Sequence, residues 1–366
     1  MEYYHILMYG GLSSHKFYHT LLPELHSYAV NKSGKAILFD FTNVKAVSPL
    51  VIPNLLCLGY IIKSNYYHTP MIYVPDNSAA DRLRYYLHDI DFVKLSKKYG
   101  LFEFTNSIDY GELQNILDQV CVTSEFNLPD LVGDCEDASD KVVEDRVRDK
   151  VHKEFGTFFK KYMGNFSYTV KDTTIGIDTK DTCDKFAENI CTQLLTNALC
   201  HGRSFAFMTA QVNYKFRRVY LSIGDCGIGL KEGINYKIAN QKEPFENFTE
   251  MVSDELSAII TAIFARAEDK DHDNQIYGLY PLVKTTIQNG GIVRIHSNNT
   301  RLILTENLLQ QLEISTYRRS DIKQIRTSFL KPLYDKDGEY LYNVEPNLKY
   351  GGTHIEIEIP LVGRMN

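Results

Sequence analysis

Three short stretches in the second half of the chain carry residue types able to do chemistry. Gln193, Asn197 and His201 recur at every fourth position of Gln193-Leu-Leu-Thr-Asn197-Ala-Leu-Cys-His201-Gly202, and residues so spaced share one face of a helix. Phe186, Ile190, Leu194, Leu195 and Ala198 supply its apolar side. An Asn on such a polar stripe offers a neutral oxygen to Mg²⁺, which keeps several waters and takes its other oxygens from phosphates. The alternative is an Asn facing solvent. Leu221-Ser-Ile-Gly-Asp225-Cys-Gly227-Ile-Gly229-Leu230 is an apolar run that breaks into an Asp-x-Gly-x-Gly turn. A carboxylate closing a buried strand is costly unless it meets hydrogen-bond donors. Gly227 and Gly229 allow close approach to the backbone, although Asp and Gly are also ordinary turn residues. Downstream stand Gly278, ahead of a helical stretch with Pro281 in its first turn, and Gly351-Gly352-Thr353 before the alternating Ile355, Ile357 and Ile359.

In this order the segments resemble the ATP-binding domain shared by gyrase, Hsp90, histidine kinases and MutL, the GHKL superfamily, over roughly residues 180–361. The resemblance implies ATP or ADP with Mg²⁺ as cofactors. It places Asn197 on the metal, Asp225 on the adenine amino group, and Gly227 and Gly229 beside the base. Gly278 falls at the phosphates and Thr353 near the adenine. The His201-Gly202 pair is closest to the anti-sigma-factor kinase branch.

Two departures bear on turnover. Many family members carry a Glu, as general base, four residues before the metal-binding Asn; here that residue is Gln193. An amide cannot take up the proton, though it can orient a water. Glu188 lies on another face and does not replace it. The glycines that precede the Gly278 position in the family are Asn274 and Ile276 here. Nucleotide binding with weak or no hydrolysis is therefore expected. An active serine/threonine kinase and a nucleotide-independent scaffold are the alternatives.

The elements that must hold these residues suggest an α/β (α+β) chain in three parts. The 366 residues suffice for two or three domains. Residues 1–105 alternate strand and helix, with Ser48 and Pro49 as N-cap and first helical residue, and predict a small mixed sheet with helices on one face. This unit resembles a STAS domain, with Asp40 and the 44–48 segment at the signature and Pro49 or Leu50 where the phosphorylated serine would stand. Residues 106–178 are expected as a helical linker whose 140–163 helix bridges the domains or makes a homodimer. His152 on it is expected to be solvated. Residues 179–361 form the ATP-binding domain, with a lid over about 230–277 and an insertion over about 306–350. The closing strand, alternating Ile with Glu356 and Glu358, predicts a solvated sheet face.

A net charge of −6 argues against nucleic acid as partner. No apolar run is long enough to span a membrane, and the N-terminus lacks a signal-peptide pattern. Seven scattered cysteines form no metal or disulfide framework and are expected as reduced thiols in a cytoplasm. Nucleotide and a regulatory protein are the expected partners.

Overall fold

The computed structural model describes residues 2–31, 34–106, 119–133, 140–164, 167–172, 177–202, 205–240, 250–264, 279–311, 333, 341–343 and 350–361. Its N-terminal part runs β1 (Tyr3–Leu12), α1 (Ser14–Lys16), a π turn at Phe17–Leu21 leading into α2 (Leu22–Asn31), and β2 (Ala36–Val47). A 3₁₀ turn at Pro49–Val51 then enters α3 (Ile52–Tyr66), followed by β3 (Met71–Tyr73), α4 (Asp81–Asp89), α5 (Phe92–Tyr99) and β4 (Glu103–Phe104). Ser48 caps the entry to α3, its side chain accepting from Leu50 N. The four strands lie in the order β1-β2-β3-β4, and each pairing is parallel. The expected mixed sheet is thus corrected to a parallel one, because every connection here is a helical crossover rather than a hairpin.

The rest of the chain carries β5 (Gln119–Phe126), α6 (Leu128–Val132), α7 (Asp140–Met163), β6 (Ser167–Asp172), β7 (Ile177–Thr182), α8 (Cys183–Gly202), β8 (Ala206–Asn213) and β9 (Arg218–Asp225). It continues with α9 (Leu230–Ala239), α10 (Glu255–Phe264), α11 (Tyr280–Gln288), β10 (Ile292–Ser297), β11 (Thr300–Leu304), α12 (Glu306–Gln311), β12 (Leu341–Asn343) and β13 (Thr353–Pro360). A seven-stranded sheet runs β12-β11-β10-β13-β9-β8-β5, antiparallel throughout. On one face Ala206, Met208, Val219, Leu221, Ile223, Ile355 and Ile357 join α7, α8, α10 and α11 in the larger core.

The 106–178 segment is not a helical linker. It supplies β5, an edge of the large sheet, the β6–β7 hairpin, and α7. Residues 119–122, expected in a helix, are β-strand, since pairing with β8 outweighs local helical spacing. Along α7, Val143, Val147, Val151, Phe155, Phe159 and Met163 recur at every fourth position and are all buried against α8 and the core. Its apolar stripe is therefore used within the chain.

The Glu face of β13 is not solvated: Glu356 is 1% exposed. The helix α3 lies there, between the two sheets, with Phe207 and Tyr350 entering the N-terminal core. Hydrogen bonds cross this seam. Ser222 Oγ donates to Leu50 O at 2.7 Å, Asn54 Nδ2 donates to Glu356 Oε1 at 3.2 Å, and Tyr350 OH donates to Asn54 O at 2.7 Å. Arg301 Nη2 stands 4.0 Å from Glu356 Oε2. The His296 ring packs on Tyr18 and the His354 ring on Tyr350. Burial holds both imidazoles neutral, pushing His296 well below its ordinary range and His354 down to about 3. An alternating Ile/Glu strand predicts one wet face only when nothing polar covers it, and here another unit does.

Candidate functional site

Asp225 ends β9 at the point where the chain must turn. Strand alternation places it with Val219, Leu221 and Ile223 on the face that α8 covers. It is 3% exposed, and burial pushes its carboxyl up from 3.8 to about 7. Two backbone N–H groups oppose that rise: Gly227 N donates to Oδ1 at 2.8 Å and Thr353 N donates to Oδ2 at 3.1 Å. Tertiary pairing thus brings Asp225 and Thr353, far apart in the chain, into direct contact. Gly352 makes the approach possible. Its φ is +97°, and a Cβ there would stand 2.0 Å from Asp225 O.

Across the same end of the sheet, Ser297 pairs with Thr353, and Ala206 with Asp225. Ser297 Oγ accepts from Leu230 N at 2.9 Å and donates to Glu255 Oε2 at 2.7 Å. Asn298 Nδ2 donates to Glu255 Oε1 at 2.6 Å. Asn298 N donates to Gly352 O at 3.3 Å. Burial raises the Glu255 carboxyl, while its bonds from Asn298 and Ser297 act in the opposite direction. Gly229, with φ +83°, lets the turn enter α9; a Cβ would fall 2.4 Å from Asn298 Nδ2. The sequence reasoning missed Glu255, Ser297 and Asn298. Their one local signal is the Ser297-Asn-Asn turn after a strand, and it carries no hint of Glu255 from another segment.

The helix α8 packs against β9 and against α9, which starts directly after Gly229. Leu194, Leu195, Ala198 and Leu199 face the core, Asn197 is half-buried and Gln193 is exposed. Glu188 is turned to α7, where its Oε1 lies 3.0 Å from His152 Nδ1. The His152 side chain is largely exposed, as expected from the sequence, and this contact links it to α8. The side chain of His201 and residue Gly278 lie outside the described residues.

Within the 230–277 segment, α10 is a core element rather than a cover. Leu256, Ile259, Ile260 and Ile263 enter the main core, and Ser257, Ala258 and Thr261 are buried on its other sides. A helix apolar on nearly all sides is held by neighbours all round. From the insertion at 306–350, α12 follows β11 directly, and β12 adds a strand beside β11.

No described helix is long and apolar enough to cross a membrane, and no cluster of metal-ligating side chains occurs among the described residues. The chain matches no protein-family model, no curated protein and no solved structure.

Proposed function

We propose that the chain is a Mg-ATP-binding regulatory protein of the GHKL type, a nucleotide-dependent switch with weak or no hydrolysis of its own. The Asp225 turn carries this reading: a buried carboxylate at a strand end, held by Gly227 and Thr353 on the face covered by the Asn197 helix. A carboxylate offers about four acceptor positions, and the backbone takes two of them, so the turn fits an exocyclic amine donor such as that of adenine. Asn197 would hold Mg²⁺ through its amide oxygen, Gly227 and Gly229 would flank the base, and Gly278 would stand at the phosphates. Gln193 would orient a water without removing its proton. Glu188, already paired with His152, supplies no base in its place.

The STAS-like N-terminal unit would then be the regulatory module, on one chain with the nucleotide domain. Such fusion raises the effective concentration of one for the other. A regulatory protein partner in the cytoplasm and the absence of nucleic-acid or membrane partners complete the reading. The rival is a nucleotide-independent scaffold, favoured by the fact that both Asp225 oxygens already accept backbone bonds. Calorimetry with Mg-ATP and Mg-ADP on the wild type and Asp225→Asn separates them. The proposal requires saturable heat and a nucleotide-dependent rise in Tm for the wild type, both weakened in the variant. Silence with both nucleotides leaves the scaffold.

A further inference from the structure

Cys57 and Cys226 belong to different halves of the chain, yet they meet where α3 crosses the end of β9. Cys57 is fully buried on α3, and Cys226, the residue after Asp225, is half-buried. The Cys226 thiol points at Cys57 O from 4.0 Å, and its nearness adds to the burial that disfavours the Cys57 thiolate. Gly224 presses against the same sulfur: a Cβ there would stand 3.3 Å from Cys57 Sγ. Other described thiols are differently placed. Cys121 Sγ donates to Asp89 at 3.4 Å, and Cys191 is sealed in the main core.

We propose that Cys57 and Cys226 are a peroxide-responsive thiol pair that closes into a disulfide, tying α3 to the Asp225 turn. Cys226, the more exposed sulfur, attacks hydrogen peroxide as thiolate. An S–O bond forms, the O–O bond breaks, and the departing hydroxide takes the thiol proton as water. The Cys57 sulfur then attacks the resulting sulfenic acid. An S–S bond forms, the S–O bond breaks, and hydroxide leaves with the Cys57 proton as a second water. Two thiols lose two electrons and one peroxide becomes two waters. Burial disfavours the Cys57 thiolate, which suits that residue to the resolving step, where contact replaces diffusion.

The test uses the reduced full-length chain, exposed to hydrogen peroxide, alkylated, digested without reductant and mapped by mass spectrometry. The peptides containing Cys57 and Cys226 should be joined, and dithiothreitol should separate them. Amide exchange should slow in both α3 and the 224–227 turn while the link is present. Cys226→Ser should abolish the joined peptide and Cys121→Ser should leave it. A wild-type Cys226 that stays free, proceeds to sulfinic acid or pairs with another cysteine overturns the proposal. Because the decisive measurement is made on the wild type without nucleotide, it stands apart from the ATP reading and from any folding defect of a variant.

Discussion

Replacing Asp225 with Asn removes a titration whose size the structure sets. The carboxyl rises from 3.8 unfolded to about 7 folded, a gap of about three pH units at about 1.36 kcal/mol each. The sign follows from proton occupancy. Between those two values the folded state holds a proton that the unfolded chain has released, so this group's contribution to stability falls as pH rises and levels off above about 7. From pH 5 to pH 8 the wild type should therefore lose about 3 kcal/mol that the variant keeps. Asn also gives up one acceptor for Gly227 or Thr353, a pH-independent cost of about 1–3 kcal/mol. The diagnostic quantity is thus the change with pH in the difference between the two proteins. His296 and His354 act in the opposite direction, since their depressed values remove stability as pH falls below the ordinary imidazole range. They contribute equally to both proteins and cancel. Urea midpoints at pH 5, 6, 7 and 8 give the comparison. Parallel wild-type and variant profiles would refute the buried, protonated Asp225. If the ionised carboxylate receives the adenine amino group, Mg-ATP affinity should also climb about tenfold per pH unit below pH 7, and a flat affinity profile would remove that role.

Gln193→Glu should raise steady-state ATP hydrolysis from a low wild-type level, measured by phosphate release; rapid turnover by the wild type would show that another group is the base. Gly352→Ala forces a Cβ against Asp225 O at a positive φ, and should cost more than about 2 kcal/mol in urea unfolding; a neutral result would show that the turn relaxes freely. Asn54→Leu removes the donor to Glu356 in the seam and should destabilise by about 1–3 kcal/mol, read by the same assay. A fragment of residues 106–366 bares the sheet face that α3 covers, so it should bind the apolar dye ANS and unfold earlier than the full chain; a fragment as stable as the whole would show that the seam contributes little.

Local physics made several elements legible in the sequence. Helical spacing gave α8 its core face through Leu194, Leu195 and Ala198, serine and proline marked the entry to α3, and strand alternation marked β13. Asp225 with its glycines announced a turn, and that turn is present. Each of these signals lies within about ten residues, where periodicity and capping act. What depended on distant partners was not legible. Residues 119–122 have helical spacing, yet β8 takes them as an edge strand. Glu356 occupies a position that alternation assigns to water, and Asn54 with Arg301 buries it instead. The Asp225–Thr353 contact needs β13 to lie beside β9, with Gly352 leaving room for Asp225. The Glu255–Ser297–Asn298 network needs a core helix to meet a strand end. A sequence by itself fixes which faces are apolar and where the chain can turn. Which polar groups satisfy one another is decided only when separate segments meet, because a buried donor or acceptor is stable only beside a partner that tertiary structure alone supplies.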